Sequence, residues 1–308
     1  MKRDFYLEVE SKVRKEYFKP FRLGPLNLKN RFIVSPMYTA LALNGRVNLD
    51  IIAHYHSLSL GGGAMVIVES TSIDVESKPY DHSLYLDSTN QLKYFTKLAK
   101  VIKSNNCVAG IQVTYCENNP NSSIILSTDE VDSIIDKFVF TAILCEQAGF
   151  DVIEIHCGPG GLAYQFLMSD PNTRSDKFCD RSLFLEKILQ DIKDKTKLSV
   201  IVRFSFNEYN NEAFKLHDSI SVIKKLSHNI DIVHISSGSS SAYHGYQLDM
   251  ASEIKISTLK PTIVSGLLQG EDMINYSFYS GKTDAIGIGR ACILNPNYIS
   301  NLELGSYV

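Results

Sequence analysis

A closed α/β barrel of eight strand–helix units, the (β/α)8 or TIM barrel, is the fold that the sequence predicts, and three observations predict it. From residue 31 onward, eight short apolar runs alternate with segments of helical spacing, which is the pattern of repeated βα units. The runs are almost continuously apolar, as parallel strands covered on both faces are. The length of 308 residues is one that a single barrel commonly occupies.

The eight runs are the candidate strands. They are FIVSPM (32–37), AMVIVES (64–70), VAGIQVT (108–114), DVIEIHC (151–157), SVIVRFS (199–205), DIVHISS (231–237), PTIVSG (261–266) and DAIGIG (284–289). The competing fold, a doubly wound open sheet, would bind a nucleotide through an early Gly-rich turn. The segment after the first run, SPMYTALALNG, is not a G-x-G-x-x-G fingerprint, so the closed barrel is favoured.

The region before the first strand predicts a hairpin. In FKPFRLGPLNLKNR, proline and glycine separate two short extended pieces, and we expect the resulting hairpin to close one end of the barrel. A charged N-terminal extension over 1–17 precedes it. Since the chain contains no segment with the composition of an interdomain linker, we expect one domain over 1–308, with the barrel at about 31–296.

The helices between the strands carry start and stop signals. Ser88 with Gln91, and Ser127 with Glu130, fit the capping box that satisfies free amides at a helix start. Gly149 stands where a glycine that ends a helix is expected. The helix after Ser127 has one apolar stripe, formed by Val131, Ile134, Ile135, Phe138, Ala142 and Cys145.

Composition excludes several classes of partner. Hydrophobic residues make up 44% of the chain and charged residues 21%, and the net charge of -3 gives no electrostatic reason to expect nucleic acid or an anionic membrane. No run of about 18 apolar residues occurs, and the N-terminus is charged instead of apolar. We therefore expect a cytoplasmic protein that acts on a small molecule.

The six cysteines are scattered without a C-x-x-C pair. This spacing argues against structural zinc, an iron–sulfur cluster or a disulfide framework. We expect free thiols in a reducing compartment and predict no metal site.

Polar residues end almost every candidate strand. Because the carboxyl ends of barrel strands converge on one face, these residues are the candidate site. They are Pro36 and Met37, Glu69 and Ser70, Gln112 and Thr114, His156, Arg203 and Ser205, Ser236 and Ser237, Ser265 and Gly266, and Gly289 and Arg290. An apolar strand seldom carries an unpaired charge, so Arg203 is expected either in an ion pair or facing an anion.

The segments around these strand ends contain, in order, the motifs FKPFRLGPLNLKNRFIVSPM, HYHSLSLGGGAMVIVEST, GIQVT, GFDVIEIH with FL and N-x-R-x-D further on, VIVRFS and GIGRACILNP. In sequence and in order, these motifs resemble those of the old yellow enzyme family of FMN-dependent ene-reductases. The resemblance implies an oxidoreductase in which NADH or NADPH reduces bound FMN. The reduced flavin would then pass hydride to an organic acceptor, such as an activated alkene or a quinone. It leaves open whether the chain forms a homo-oligomer.

The resemblance also implies roles for individual residues. Gln112 would bond the pyrimidine edge of the isoalloxazine, and Arg203 would lie by N1 and O2, where a cation stabilises reduced flavin. Backbone amides near Ser265, with Arg290, would hold the phosphate. The implied cofactor-binding residues are Ser35, Pro36, Met37, Ser70, Gln112, Arg203, Ser237, Ser265, Gly266, Gly289 and Arg290.

His156 matches the first member of the family's substrate-anchoring pair, H-x-x-[HN], whose donors bind a carbonyl oxygen. The second member falls at Pro159 and the family's proton-donating tyrosine at Gly161, and neither side chain can do that work. We therefore predict an atypical substrate site with His156, Tyr115 and Tyr38 as catalytic candidates. Further replacement donors are Tyr164, Tyr243, His244 and Tyr246.

Two other functions are compatible with parts of the sequence. A flavin-binding barrel protein that has lost ene-reductase turnover would explain Pro159 and Gly161. A barrel enzyme with another phosphorylated ligand, such as an aldolase, would need a Schiff-base lysine or a metal-ligand cluster at the strand ends, and we find neither.

Asn172, Arg174 and Asp176 are expected to form a structural loop network.

Overall fold

The computed structural model describes residues 16–117, 119, 121–168, 173–206, 216–237 and 245–306, and for Phe206 and Ser237 the backbone alone. Tyr243, His244 and Asn172, which were singled out in the sequence, lie outside the described residues. The prediction of one domain over 1–308 stays a prediction.

Eight parallel strands close into a barrel, as predicted. The order around the barrel is β10-β3-β4-β5-β6-β7-β8-β9, so each strand pairs with its successor and the last pairs with the first. The strands are β3 (Phe32–Val34), β4 (Met65–Ser72), β5 (Val108–Thr114), β6 (Val152–Cys157), β7 (Ser199–Phe206), β8 (Ile232–Ser237), β9 (Thr262–Ser265) and β10 (Ala285–Ile288).

Differences from the predicted strands are confined to their ends. The run predicted over 32–37 leaves the strand after Val34, so Ser35, Pro36 and Met37 belong to the loop that follows. In β4 the pairing with β5 shifts between Val68 and Thr71. Such a bulge turns side chains at a strand end in new directions, and it falls beside Ser70.

The predicted hairpin closes the amino-terminal end of the barrel. Its strands are β1 (Phe21–Leu23) and β2 (Leu26–Leu28), which pair antiparallel. The hairpin leucines belong to one buried cluster with side chains of the barrel interior, among them Ile33, Met65 and Ile201. Gly24 takes φ 57, and a Cβ there would lie 3.3 Å from the Asp231 carbonyl oxygen. The turn therefore packs tightly against the chain that enters β8.

Helices cover the outside of the barrel. In the described ranges they are α1 (Leu49–Leu60), α2 (Leu92–Lys103), α3 (Ser122–Ile125), α4 (Thr128–Gln147), α5 (Leu162–Met168), α6 (Leu183–Lys195), α7 (Leu216–Lys225), α8 (Leu248–Thr258), α9 (Glu271–Tyr279), α10 (Arg290–Leu294) and α11 (Tyr298–Leu304). Both predicted capping boxes form. The predicted stripe of α4 is buried, and Gly149 follows that helix with φ 90.

The cysteines and the helices bear on two further expectations. All six cysteines lie in described ranges and are free thiols, as predicted. Among the helices of the described part of the chain, none combines the length and the apolar character that crossing a bilayer requires.

Candidate active site

A cavity of about 190 Å³ opens at the carboxyl ends of β3 and β7 to β10. Seven predicted cofactor-binding residues line it, namely Ser35, Met37, Arg203, Ser265, Gly266, Gly289 and Arg290. Pro36 is buried between two of them. Ser35 and Arg290 are 255 positions apart in the sequence, yet both line this cavity. They lie close together because the closed barrel places the last strands beside the first.

The remaining predicted cofactor-binding residues lie around this cavity in different ways. Gln112 is buried inside the barrel on β5. Ser70 is half-buried at the bulge of β4. Ser237 ends β8, where its backbone pairs with Phe206 of β7. None of the three is among the residues that line the cavity.

Glycines shape the cavity floor. A Cβ on Gly287 would lie 2.0 Å from the Ser265 Oγ and 2.4 Å from the Ser35 Oγ. A Cβ on Gly289 would lie 2.8 Å from the Met37 sulfur. Any side chain at either position would displace groups that line the cavity, so glycine keeps this space open.

A chain of hydrogen bonds runs behind the cavity through the barrel interior. Gln112 Nε2 donates to Glu154 Oε1 at 2.7 Å, and Glu154 Oε2 lies 2.6 Å from His234 Nδ1. On the other side of the ring, His234 Nε2 lies 2.6 Å from the Ser265 Oγ, which lies 2.7 Å from the Ser35 Oγ. We call these five side chains the interior network. It runs through β5, β6, β8 and β9 and ends at Ser35, in the loop that follows β3.

Arg203 stands between the interior network and the cavity. Its Nε donates to the Ser236 Oγ at 3.0 Å, and its Nη1 lies 4.0 Å from Glu154 Oε1. Nη1 is buried and has no hydrogen-bond partner among the described residues. Of the two alternatives predicted for Arg203, the ion pair is present as a loose pair with Glu154. The contact with an anion stays a prediction, for which Nη1 offers an unused donor.

Burial and charge set the protonation of the interior network. Burial raises the pKa of Glu154, but the interaction and hydrogen bond with His234, the positive charge of Arg203 and the hydrogen bond from Gln112 together outweigh burial, and the net direction is downward. Burial lowers the pKa of His234, and Arg203 adds to this effect while Glu154 opposes it. At neutral pH the pair is therefore a carboxylate and a neutral imidazole.

His156 lies on β6 directly beside Arg203 of β7 in the strand pairing. Burial and the neighbouring charge of Arg203 lower its pKa to about 4, so the imidazole is neutral at physiological pH. Its Nδ1 is buried without a hydrogen-bond partner among the described residues. A neutral imidazole with an unused ring nitrogen can bind a polar group of a ligand.

The β6 loop, residues 158–161, follows His156 and folds back over it. A Cβ on Gly158 would lie 2.7 Å from His156 Cε1. Pro159 and Gly160 are exposed, and Gly161 is buried in a bridge with Cys116. A Cβ on Gly161 would find its nearest neighbours at 3.3 Å. The loop therefore covers the histidine and supplies no polar side chain of its own.

The two predicted tyrosines lie in different surroundings. The backbone carbonyl of Tyr115 accepts from the Leu162 N–H at 2.8 Å, which places this residue against the β6 loop. Burial, with a further contribution from Glu117, raises the pKa of the Tyr115 phenol, so it keeps its proton. Tyr38 is 42% exposed, and its ring centroid lies 4.7 Å from that of Tyr80.

Arg174 and Asp176 form the structural loop network that was predicted for them. Arg174 Nε donates to Asp176 Oδ1 at 2.9 Å, and its Nη1 donates to the carbonyls of Ser123 and Leu126 at 2.9 and 2.8 Å. These bonds tie the chain before α6 to the segment before α4.

A family model described as the NADH:flavin oxidoreductase / NADH oxidase family matches residues 16–122 and 116–307. The chain belongs to this family. The predicted relationship to old yellow enzymes and the predicted class, a NAD(P)H-dependent flavin oxidoreductase with FMN, are thereby confirmed.

Individual relatives agree with the family. An NADPH dehydrogenase of Bacillus subtilis (strain 168) is 26% identical over 312 residues, which are 92% of this chain and 92% of that protein. The old yellow enzyme homologue from Zymomonas mobilis superposes with a TM-score of 0.80 at 19% identity, over 95% of this chain and 94% of that one. A 2-naphthoyl-CoA reductase complex gives 0.86 at 18% identity, and this chain spans 52% of that chain. At these identities the two solved structures show the fold alone.

The residues of this flavin oxidoreductase fit FMN in three respects. Arg203 presents a buried, unused donor beside the cavity. Gly287 and Gly289 leave space that a side chain would fill. Arg290 lines the cavity and lies at the start of α10, where it can offer positive charge to a phosphate.

Sequence reasoning gave no site role to Glu154 or His234. Both stand within otherwise apolar runs, EIH in β6 and VHI in β8. A titratable group in a buried strand requires a partner, so the two runs did carry a signal. Which group partners which depends on strand register and could not be read from the sequence.

Proposed function

We propose that this chain is an FMN-dependent oxidoreductase with an atypical substrate site. It takes hydride from NAD(P)H and passes it through the flavin to an organic acceptor, an activated alkene, a quinone or a similar compound. The observation that supports this proposal most strongly is a contrast between the cavity and the β6 loop, which lie at the same end of the barrel. The cavity keeps a polar, glycine-shaped wall, whereas the β6 loop offers Pro159 and Gly161 where the family has donors.

In this proposal the cavity residues bind the cofactor. Arg203 supplies the cation beside the flavin, and Gln112, with its amide nitrogen held by Glu154, turns its carbonyl oxygen to the pyrimidine edge. The phosphate is held near Gly266, Gly289 and Arg290. The other predicted contacts are Ser35, Pro36, Met37, Ser70, Ser237 and Ser265. When bound, FMN supplies the hydride chemistry that no side chain can supply.

His156 is proposed to bind the acceptor. Its Nδ1 lacks a partner among the described residues, so in the tautomer with the hydrogen on Nδ1 the neutral imidazole can donate to an oxygen of the organic acceptor. A site with one side-chain donor to the acceptor oxygen, in place of two, stabilises the transition state less by about 1.5–3 kcal/mol. Acceptors such as quinones, which need less activation, are therefore favoured over simple enones.

Tyr115 is the proposed proton donor. Its backbone is bonded to the start of α5, directly after the β6 loop, and its phenol stays protonated because of burial and Glu117. A positioned acid in this place would contribute about 10²-fold or more to a step that ends in carbon protonation.

One experiment tests the cofactor and the activity together. The protein is reconstituted with FMN, its visible spectrum is recorded, and NAD(P)H consumption is followed with a panel of quinones, nitro compounds and enones. We expect a flavin spectrum and faster turnover of quinones than of enones. A protein that stays colourless after reconstitution would contradict the proposal.

A flavin-binding barrel protein without ene-reductase turnover is the second candidate. Pro159 and Gly161 favour it, since the β6 loop holds no acid that could protonate an alkene. The same panel separates the two candidates: FMN binding without turnover of any acceptor supports the second, and ready turnover excludes it. A cytoplasmic location, one domain over 1–308 and assembly as a homo-oligomer remain predictions in both cases.

A further inference from the structure

Glu154 is the centre of the interior network. Its side chain is fully buried on β6 and is bonded on both sides, by Gln112 at 2.7 Å and by His234 at 2.6 Å. Arg203 Nη1 lies 4.0 Å away. The predicted cofactor-binding residues Ser35, Arg203 and Ser265 line the cavity, whereas Glu154 lies behind them and adjoins Gln112, His234 and Arg203.

An ionised carboxylate can only accept hydrogen bonds, so Glu154 fixes the direction of every bond around it. The Gln112 amide must turn its nitrogen toward Glu154, which turns its carbonyl oxygen away. The His234 ring must carry its hydrogen on Nδ1, because that nitrogen faces the carboxylate. His234 Nε2 is then an acceptor.

The hydrogen-bond direction set by Glu154 also determines how the hydroxyls of Ser265 and Ser35 point at the cavity surface. Since His234 Nε2 accepts, the Ser265 hydroxyl 2.6 Å away donates to it. With its hydrogen used in that bond, Ser265 accepts from the Ser35 hydroxyl at 2.7 Å. Ser35 lines the cavity, and its hydroxyl hydrogen points inward. A ligand meeting Ser35 therefore finds an acceptor.

Glu154 also offsets the charge of Arg203. At 4.0 Å in a buried setting, the carboxylate reduces the positive potential that Arg203 projects into the cavity. A flavin gains negative charge on reduction, so the net potential at its binding site sets how much more tightly the reduced form is held than the oxidised form.

We propose that Glu154 is a positioning residue for the flavin site. It orients Gln112 and Ser35 so that both present acceptors to the ligand, and it lowers the reduction potential of bound FMN by offsetting the charge of Arg203. This inference rests on the proposed FMN function, but its first test does not require FMN.

The first test is the tautomer of His234 in the ligand-free protein. Imidazole ¹⁵N chemical shifts of histidine-labelled protein distinguish the two neutral tautomers and the imidazolium, and a His234→Asn variant assigns the signal. We expect the neutral Nδ1–H form at pH 7. Either the Nε2–H form or the imidazolium would reverse the bonds to Ser265 and Ser35 and would overturn the proposed orientation.

The second test is the midpoint potential of FMN bound to wild type and to Glu154→Gln, a variant of nearly equal volume without the charge. We expect the ratio of reduced-to-oxidised FMN affinity to rise at least about tenfold, which is about 30 mV for a two-electron couple. The matched control is Glu69→Gln. Glu69 is equally buried within β4, but it accepts from the backbone and hydroxyl of Thr39 and lies outside the interior network.

The outcomes separate the two proposals. If wild type binds no FMN, the proposed function fails and the tautomer still tests the orientation. If wild type binds FMN and Glu154→Gln has an unchanged potential, or Glu69→Gln shifts it equally, the role of Glu154 is overturned. Should Glu154→Gln fail to fold, the His234 tautomer in wild type still decides the proposed orientation, because that measurement needs no variant at Glu154.

Discussion

The cavity wall, formed by the residues that line the cavity, and the β6 loop lie at the same end of the barrel. They differ in how many of their polar groups have hydrogen-bond partners within the protein. Behind the wall, Gln112, Glu154, His234 and Ser265 are joined in series by bonds of 2.6 to 2.7 Å. In the β6 loop, no side chain of residues 158–161 offers a donor, and His156 Nδ1 has no hydrogen-bond partner among the described residues. In the proposed function the cavity residues bind the cofactor and His156 binds the acceptor, so one region can change while the other is retained.

Among substitutions in the cavity wall, removal of Arg203 should have the largest effect on stability and on FMN affinity. Arg203→Ala takes away the cation next to a buried carboxylate, and we expect the free energy of unfolding to fall by about 3 kcal/mol. FMN affinity should fall about tenfold to a hundredfold with the loss of a charged donor. Urea denaturation and fluorescence titration with FMN measure the two quantities.

The control for Arg203 is Arg174→Ala, which removes a structured arginine from the loop before α6. It should lower stability and leave FMN affinity unchanged. Equal loss of FMN affinity in both variants would contradict the special position of Arg203 beside the cavity.

The pKa of His156 predicts a pH dependence of stability. The pKa falls from 6.5 to about 4 on folding, so between these values the unfolded chain binds a proton that the folded chain does not. Stability from this group is therefore complete above pH 6.5 and decreases as pH falls, by about 3 kcal/mol at pH 4.

Unfolding curves at several pH values for wild type and His156→Asn isolate this contribution. Burial also lowers the pKa of His54 and His234, so the variant should retain part of the slope. A wild-type slope identical to that of His156→Asn would show that His156 titrates normally in the folded protein.

Gly287→Ala tests the packing of the wall. Its Cβ would lie 2.0 Å from the Ser265 Oγ, and we expect overpacking of about 2 kcal/mol together with weaker FMN binding. At Gly63, the nearest atom to a new Cβ is Val34 Cγ2 at 3.1 Å, so Gly63→Ala should cost less and leave FMN binding intact. Thermal unfolding and FMN titration would compare the two variants. If Gly63→Ala lowered stability and FMN affinity more than Gly287→Ala does, the tight packing at Gly287 in the cavity wall would be contradicted.

His156→Ala separates the two regions directly. Loss of one hydrogen bond should weaken phenolic or carbonyl ligands about tenfold, or about 1.4 kcal/mol, while FMN affinity stays unchanged. Perturbation of the flavin absorbance by a phenol measures the first quantity. Unchanged ligand affinity would assign His156 a structural role.

The smallest effect is expected at Tyr38. Its hydroxyl is at the surface against Tyr80, where water can supply a proton equally well, so Tyr38→Phe should change turnover by less than about twofold. Tyr115→Phe, in contrast, should slow acceptors that need carbon protonation. Steady-state rates with quinones and enones would compare the two, and a larger loss in Tyr38→Phe would move the proton donor to the loop after β3.

Much of the fold could be predicted because it depends on local patterns. The eight apolar runs give the eight strands, and the Pro and Gly residues near Gly24 give the hairpin. Seven predicted cofactor-binding residues share the cavity because barrel geometry brings all carboxyl ends of the strands to one face. Strand ends were less well predicted, since the residues after Val34 leave the sheet to line the site.

The sequence by itself determined the barrel, its closing hairpin, its family and the missing donors at Pro159 and Gly161, since each of these depends on residue type and order along the chain. Only the tertiary structure decided that Glu154 meets His234 and Gln112, and that Tyr38 lies at the surface while Tyr115 adjoins the β6 loop. The physical reason is that a side chain's partner across a barrel is set by strand register and closure, which bring together residues 42 and 80 positions apart.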